Sequence, residues 1–308
     1  MPGDIAVLGA GGKMGPTLAI RAKRAAPKKR VIAVSRFSSF SALKVLSQAG
    51  VETCSADLLD RSAKLPEAEN VIYMAGRKFG SSGAESLTWA MNAYLPAIIC
   101  ERYRQSRIVA FSSGNIYPFL PVTSGGATEK TPVGPVGEYA QSVLARERIF
   151  EHFASEHGIP TVLVRLNYAV ELRYGVLLDV GTKVFERRPV DVTMGAVNVI
   201  WQGDANSVGL RALSLCSSPA SVLNLTGPET LSVRQIALRF GEHFGVTPEF
   251  VGSEAPNALL NNAARCFGLF GYPKVTVEQI VEWTAQWIGM GGSTLDKPTH
   301  FETRDGKF

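Results

Sequence analysis

Four glycines, Gly9, Gly11, Gly12 and Gly15, stand directly between the apolar run Ile5-Ala-Val-Leu8 and a stretch carrying Leu18, Ile20 and Ala22. No other feature narrows the fold as much. The run reads as a strand and the stretch as an amphipathic helix, so the glycines form a strand-to-helix turn. A turn without Cβ atoms bends sharply and lets its backbone approach a pyrophosphate, which then faces the N–H groups that open the helix. Gly9, Gly11, Gly12, Lys13, Met14 and Gly15 are therefore candidate ligands of a dinucleotide, NAD(H) or NADP(H).

Val- and Ile-rich runs recur at 5–8, 31–34, 71–74, 108–111 and 161–164, with a more polar one at 51–56, and stretches of helical periodicity separate them. Such βα repeats predict an α/β fold, a doubly wound parallel sheet of the Rossmann type, with ligands at the carboxyl ends of the strands. Residues 1–165 form the expected dinucleotide-binding domain. Beyond 166 the pattern loosens into short segments, a strand-like 222–225, a turn at Gly227-Pro228 and helical stretches near 232–244 and 276–289. Residues 166–290 are expected to form a smaller substrate lobe interleaved with the end of the sheet. Gly291-Gly292 and the polar 293–308 predict a C-terminal tail that is either mobile or docked on a neighbour.

The second strand ends on Ser35 and Arg36, where a dinucleotide domain meets the adenosine ribose. An acidic residue there would accept hydrogen bonds from the 2′-hydroxyl of NAD, whereas Ser35 and Arg36 suit a 2′-phosphate. NADP is the expected cofactor, with NAD as the alternative. Arg36 has a second reading, stacking on the adenine or pointing to solvent. Asp57, after the third strand and followed by Leu58, either meets the adenine edge or caps the next turn.

Composition excludes several classes. Hydrophobic residues are 45% and charged ones 19% of the 308, the balance of a globular enzyme. No apolar run approaches the roughly 20 residues of a membrane-spanning helix. The chain enters its first strand without a leader-like segment, so a cytoplasmic location is expected. Cys54, Cys100, Cys216 and Cys266 show no C-x-x-C spacing, and His152 and His157 are five apart, so no metal site is expected. The net charge is +5, but its basic residues cluster only weakly, mainly between Arg21 and Arg30, without interleaved aromatics. That cluster reads as a solvated helix end, and nucleic acid is not an expected partner.

Several segments together resemble the extended branch of the short-chain dehydrogenase/reductase superfamily, the NAD-dependent epimerase/dehydratase family. They are Gly9-x-x-Gly12-x-x-Gly15, Val71-Ile-Tyr-Met-Ala75-Gly76, Asn92, Phe111-Ser-Ser113-Gly-Asn115-Ile-Tyr117, Glu129-Lys-Thr-Pro132 with Tyr139, Asn198-Val-Ile-Trp-Gln-Gly-Asp204, and Leu223-Asn-Leu-Thr-Gly-Pro-Glu-Thr-Leu-Ser-Val233. The resemblance covers most of the chain. It implies that Ser113 hydrogen-bonds a substrate oxygen while Tyr139 passes a proton to or from it as hydride moves at the nicotinamide. Such chemistry needs both groups, because a hydride leaves a carbinol carbon only as its hydroxyl loses a proton. Ala75, Gly76, Arg77 and Asn92 are implied cofactor contacts. Lys78 and Asn115 are candidate substrate contacts, as are Asn167, Tyr168 and Arg173, which with Tyr174 follow the sixth strand where the substrate lobe begins and whose second reading is plain loop structure. Taken without the surrounding pattern, Ser113 would end a strand and Tyr139 would be an ordinary helix residue.

The chain departs from the family at one position: the tyrosine is followed four residues later by lysine there, and by Val143 here. The change removes a cation from the same helical face, one turn on. A free tyrosine titrates near ~10, so another cation must substitute or the usual chemistry is lost. Arg77 and Lys78, directly after the fourth strand, are the candidate substitutes, with surface charge as their second reading. Arg146 shares the tyrosine's face, but a rise of about 10 Å favours reading it as surface charge.

Two functions follow. The first is an NAD(P)-dependent oxidoreductase or epimerase/dehydratase-like enzyme transferring hydride on a small hydroxylated, carbohydrate-like substrate. The alternative is a catalytically impaired NAD(P)-binding sensor or regulator, which Val143 permits. The resemblance also implies a homodimer, formed by helices around 87–99 and 136–153.

Overall fold

In a computed structural model the structure describes residues 2–37, 40–78, 80, 83–297 and 299–307. The first strand, β1 (Ile5–Leu8), lies fully buried and pairs in parallel with β2 (Val31–Ser35) on one side and β4 (Asn70–Tyr73) on the other. Ile5 stands opposite both Val31 and Asn70. Outside β2 lies β3 (Glu52–Ser55), and beyond β4 lies β5 (Arg107–Ser113), both again parallel to their neighbours. The strands Thr161–Leu166 and Ser221–Leu225 complete a seven-stranded sheet on the β5 side. Buried strands read as unbroken apolar runs because both faces are covered; β3, the polar exception, is an exposed edge. The segment 222–225, read from sequence among the pieces of a lobe, closes the other edge of this sheet.

Helices α1 (Gly15–Ala25) and α2 (Phe40–Gln48) join the first three strands. Between β4 and β5 the helical stretch is interrupted: α3 (Glu85–Trp89) passes through a π turn at Ala90–Tyr94 into α4 (Leu95–Arg102). A long helix, α5 (Gly137–His157), precedes the strand Thr161–Leu166. Later come α6 (Val176–Phe185), α7 (Gln202–Arg211), α8 (Val233–Phe244), α9 (Ala264–Phe270) and α10 (Val277–Gly289). Two of these were expected near 232–244 and 276–289, and each opens on a side-chain cap. Ser232 accepts from Gln235 N, and Thr276 forms a reciprocal capping box with Gln279.

The chain divides into two compact units. The first comprises Met1–Ser113, Glu138–Arg165 and Asn206–Leu223, and the second Gly114–Gly137, Leu166–Ala205 and Asn224–Phe308. In the first, Leu8, Val34, Tyr73, Leu95, Ile99, Ile108 and Phe150 belong to one core cluster. In the second, the apolar faces of α6, α8 and α10 meet around Val180, Phe240 and Val281. The tail docks within this second unit. Thr299 donates through N and Oγ1 to Oδ2 of Asp179 (2.8 and 2.5 Å), and Phe301 is buried. Among the described residues no helix is long and apolar enough to cross a membrane.

Candidate active site

In the first unit the glycine turn closes over the end of β1. Gly9 adopts φ +83°, a conformation that side chains resist, and its N–H and that of Ala10 donate to Val34 O at 2.9 and 3.1 Å. A Cβ on Gly9 would lie 2.6 Å from Ala75 N, and one on Gly15 would lie 2.6 Å from Ala10 O, so both glycines are required by close backbone approach. Gly11 and Gly12 are exposed on the rim, and Lys13 is partly exposed beside them. Met14 is buried at the N-cap of α1, where no side chain caps the helix. Uncovered rim glycines beside the uncapped N–H groups of an eleven-residue helix fit a pyrophosphate.

Ser35 packs against this turn, since a Cβ on Gly11 would come within 2.5 Å of its Oγ. Arg36, with 73% of its side chain exposed, lies 3.7 Å from Oδ2 of Asp57. The other carboxylate oxygen of Asp57 accepts from Leu59 N at 3.0 Å, which realises the capping reading, and Leu58 is buried beneath. Part of the basic stretch 21–30 is engaged locally: Lys23 and Lys29 donate to Lys29 O and Gly3 O, and Arg30 pairs with Glu52 at 2.8 Å.

The end of β5 and the start of α5 bring Ser113 and Tyr139 into hydrogen-bonding contact. Burial around the Tyr139 hydroxyl raises its pKa above the ordinary tyrosine value, against the opposing pull of the Arg146 charge and of the hydrogen bond with Ser113. Lys78 Nζ lies 5.7 Å from the Tyr139 ring centroid. The guanidinium of Arg77 turns instead to Gly80 O at 2.8 Å. Asn92, in the π turn, is fully buried, and its amide is spent inside the protein. Its nitrogen donates to Arg77 O and Ser142 Oγ, each at 2.9 Å, and its oxygen accepts from Arg77 N at 2.9 Å and Arg146 Nη2 at 2.6 Å.

Arg146 corrects the expectation of a surface charge: only 7% of it is exposed. Position along the helix misleads because a helical side chain leans back over the preceding turn, and a long arginine recovers much of the about 10 Å rise from 139 to 146.

The remaining candidates lie in the second unit. Asn115 and Tyr168 line one cavity together with Tyr117, Phe119, Met194 and Arg304. Tyr168 has φ +39°, uncommon for a bulky residue, and burial raises its pKa far above the ordinary value. Arg304 comes from the docked tail, stacks 4.4 Å from the Phe119 ring and donates to Asn257 O at 3.0 Å. Asn167 is buried within an amide network, donating to Asn198 Oδ1 at 3.0 Å and Leu259 O at 3.3 Å. Arg173 pairs with Glu171 at 3.1 Å and is not among the residues lining the cavity.

The sequence matches the model of the NAD dependent epimerase/dehydratase family over residues 5–170, more than half of the chain. The chain belongs to that family. Its function is accordingly of the NAD-dependent epimerase/dehydratase type, and it is an enzyme. No curated protein matches the sequence. Solved structures similar to it include the UDP-glucuronic acid 4-epimerase of Bacillus cereus in complex with NAD, at 18% identity, TM-score 0.79, and 93% of this chain against 99% of that one. The Thermus thermophilus UDP-glucose 4-epimerase complex with NAD aligns at 18% identity and TM-score 0.75, over 92% and 98% of the two chains. The dTDP-glucose 4,6-dehydratase of Bacillus anthracis in complex with NAD aligns at 15% identity and TM-score 0.78, over 93% and 96%. These likenesses extend the family's fold over nearly the whole chain.

Around the pair at 113 and 139, this epimerase/dehydratase carries residues that sequence reasoning missed. Glu147 is fully buried, receives Arg165 Nη2 at 2.8 Å and accepts from Ser112 Oγ at 2.5 Å. It lies one turn beyond Val143 on the same buried face of α5, and that spacing is the signal that could have found it. The ion pair ties α5 to the strand Thr161–Leu166, and the Ser112 hydrogen bond ties it to the end of β5, where Ser113 sits. Gly76 was named for its place in a loop; its closest neighbour is the Arg146 guanidinium.

Proposed function

We propose that the protein is an NADP(H)-linked oxidoreductase or epimerase/dehydratase-like enzyme that acts by hydride transfer on a small hydroxylated, carbohydrate-like substrate. The observation that carries this reading is the contact between Ser113 and Tyr139 at the carboxyl end of β5, in the unit that holds the glycine turn. Gly9, Gly11, Gly12, Lys13, Met14 and Gly15 would hold the pyrophosphate; Ser35, Arg36, Asp57 and Leu58 the adenosine half; Ala75, Gly76 and Arg77 the nicotinamide half, with Asn92 fixing their loop. When bound, the dinucleotide supplies the two-electron acceptor or donor that side chains lack.

Within that frame Tyr139 moves the proton. A phenol is protonated at neutral pH and burial raises the pKa of this one further, so it stands ready to donate to a carbonyl oxygen, while the Ser113 hydroxyl shares that oxygen. Accepting a proton in the opposite direction requires the phenolate, which the hydrogen bond with Ser113 and the positive charge of Arg146 both favour. Lys78, beside the phenol, and Asn115, Asn167, Tyr168 and Arg173 are proposed substrate contacts; of these Asn115 and Tyr168 have the support of the cavity. Aromatic faces and amide groups suit polyhydroxylated rings. The similar solved structures are enzymes of UDP- and dTDP-sugars, which makes sugars and nucleotide sugars the first substrates to try. A homodimer is proposed through the neighbourhood of Leu87, Trp89 and Tyr94, exposed apolar residues on one of the helical stretches expected to pair.

The test is isotope exchange. Purified protein is incubated with deuterated NADPH or NADH and a panel of keto-sugars and nucleotide sugars, and deuterium in the sugar is read by mass spectrometry. Exchange should occur and fall by about 10²–10⁴-fold in Tyr139→Phe, the usual contribution of a positioned acid/base. Cofactor binding with no exchange onto any carbonyl or hydroxyl compound would favour a sensor over an enzyme.

A further inference from the structure

Arg146 is a buried cation that forms no ion pair among the described residues. Its Nη1 donates to Phe111 O at 2.8 Å, its Nη2 to Asn92 Oδ1 at 2.6 Å, and its guanidinium carbon lies 5.7 Å from the Tyr73 ring centroid. Its Nε is buried with no hydrogen-bond partner among the described residues. Every one of these acceptors is neutral. Arg165, buried to a similar degree in the same unit, is matched by Glu147 at 2.8 Å. Arginine does not shed its proton, so Arg146 keeps a full charge in a site that solvates it only with dipoles. Such an arrangement costs folding free energy, so packing alone does not account for an arginine at this position.

The surroundings are shaped to seat that charge. A Cβ on Gly76 would collide with Nη2 of Arg146 and lie 2.9 Å from Asn92 Oδ1, so the guanidinium occupies space that any other residue at 76 would fill. The π turn at Ala90–Tyr94 carries Asn92, whose two N–H bonds to Arg77 O and Ser142 Oγ orient its oxygen to accept Nη2. One turn after Tyr139, where a cation would reach the phenol most directly, stands buried and uncharged Val143.

We propose that Arg146, seated by Gly76 and Asn92, is the positioning residue that supplies positive charge to Tyr139 from two turns along α5. This inference rests on the reading of Tyr139 as the proton-transfer group. The Arg146 charge favours the phenolate of Tyr139 and opposes the burial that disfavours it. Other groups face the same phenol or the same cation. Lys78 approaches the Tyr139 ring from the loop after β4, and Ser113 bonds it from β5. Tyr73 of β4, whose ring lies against Arg146, is held neutral by burial. Glu138, next in sequence, accepts from Trp89 Nε1 at 2.5 Å.

The experiment is a titration of the cofactor-free protein. Placing 3,5-difluorotyrosine at position 139 lowers the intrinsic phenol pKa into a range where the fold is stable, and fluorine-19 resonances read its ionisation directly. In Arg146→Met the midpoint should rise by about one pH unit or more, that is, about tenfold less phenolate at a given pH. Gly76→Ala, which displaces the guanidinium without removing it, should shift it in the same direction, and Arg146→Met with Val143→Lys should bring it back. If Arg146→Met does not fold, Gly76→Ala and the compensated double variant carry the test. Midpoints that agree within about 0.3 pH unit across wild type, Arg146→Met and Gly76→Ala overturn the proposal and leave Arg146 a packing residue. Because no cofactor or substrate is present, absence of hydride exchange in the wild type would sink the functional reading while leaving this shift to be seen.

Discussion

Cofactor choice offers a direct test, because the residues proposed to decide it, Arg36 and Asp57, also lie against one another. Arg36 directly follows β2, with a 73% exposed side chain 3.7 Å from Asp57, itself 45% exposed. At that distance in water the Coulomb attraction is about 1 kcal/mol, and screening and side-chain freedom reduce such exposed pairs to about 0.2–1 kcal/mol. A 2′-phosphate therefore competes with a weak partner and gains charge-assisted hydrogen bonds of about 1.5 kcal/mol at the low end, close to tenfold in affinity. Replacing Arg36 with alanine should lower the NADPH affinity about tenfold and leave that of NADH nearly unchanged. Asp57→Asn should act in the opposite direction, strengthening NADPH up to about fivefold, since it frees Arg36 and removes a like charge from the phosphate. Asparagine retains the oxygen that accepts from Leu59 N, so the turn survives the change. Isothermal titration calorimetry of both reduced cofactors against wild type, the two single variants and the double variant gives all the numbers needed. Equal wild-type affinities for NADPH and NADH, unmoved by Arg36→Ala, would refute the reasoning.

Three further predictions follow from buried or exposed groups. Glu147→Gln removes the carboxylate charge paired with Arg165 at a site almost closed to water, and should lower stability by about 3–5 kcal/mol. Denaturant unfolding followed by circular dichroism measures it, and a loss under about 1 kcal/mol contradicts the assignment of an essential buried pair. Burial pushes the thiols of Cys100 and Cys216 up to about 12, against an ordinary value near ~8.5. At pH 8 a disulfide reagent should label Cys54 promptly and these two at least about 10³-fold more slowly. Their contribution to stability is full below the ordinary thiol pKa and is lost as pH rises through the shifted one, so mass-spectrometric mapping showing equal labelling of all three at pH 8 would refute the burial argument. The pairing of the helices bearing Leu87, Trp89 and Tyr94 should give a dimer in multi-angle light scattering at micromolar concentration, dissociated by Trp89→Glu with Tyr94→Glu; a monomeric wild type rules it out.

How much of this was legible in the sequence depended on how local the determining physics is. The sheet could be read because a buried parallel strand must be apolar on both faces, and the one polar strand, β3, is the one with an exposed edge. Helices α8 and α10 could be placed closely because Ser232, Thr276 and Gln279 satisfy the first N–H groups from within the same few residues. The tail could not. Its composition is polar, yet it is held by Thr299 on Asp179, 120 residues earlier, and by burial of Phe301. Nothing in a window of neighbouring residues carries a contact of that range.

At the site the same division separates the glycine turn and the Ser113–Tyr139 pair from the cation beside them. A search by position asks which residue stands four places after Tyr139, finds Val143, and registers a lost charge. The charge that compensates is not at a position but in a volume. It needs a side chain long enough to lean back along α5, a glycine at 76 to leave room, and a π turn that swings the Asn92 oxygen toward it. These residues are separated by 16 to 70 positions and belong to three different elements. Each is ordinary alone: a loop glycine, a helical asparagine, an arginine two turns too far. Arg146 cannot keep its place if Gly76 gains a Cβ. A chain of this family that has lost the cation one turn after its tyrosine should therefore be examined at the loop after its fourth strand first, because a missing Cβ there is what makes room for a replacement.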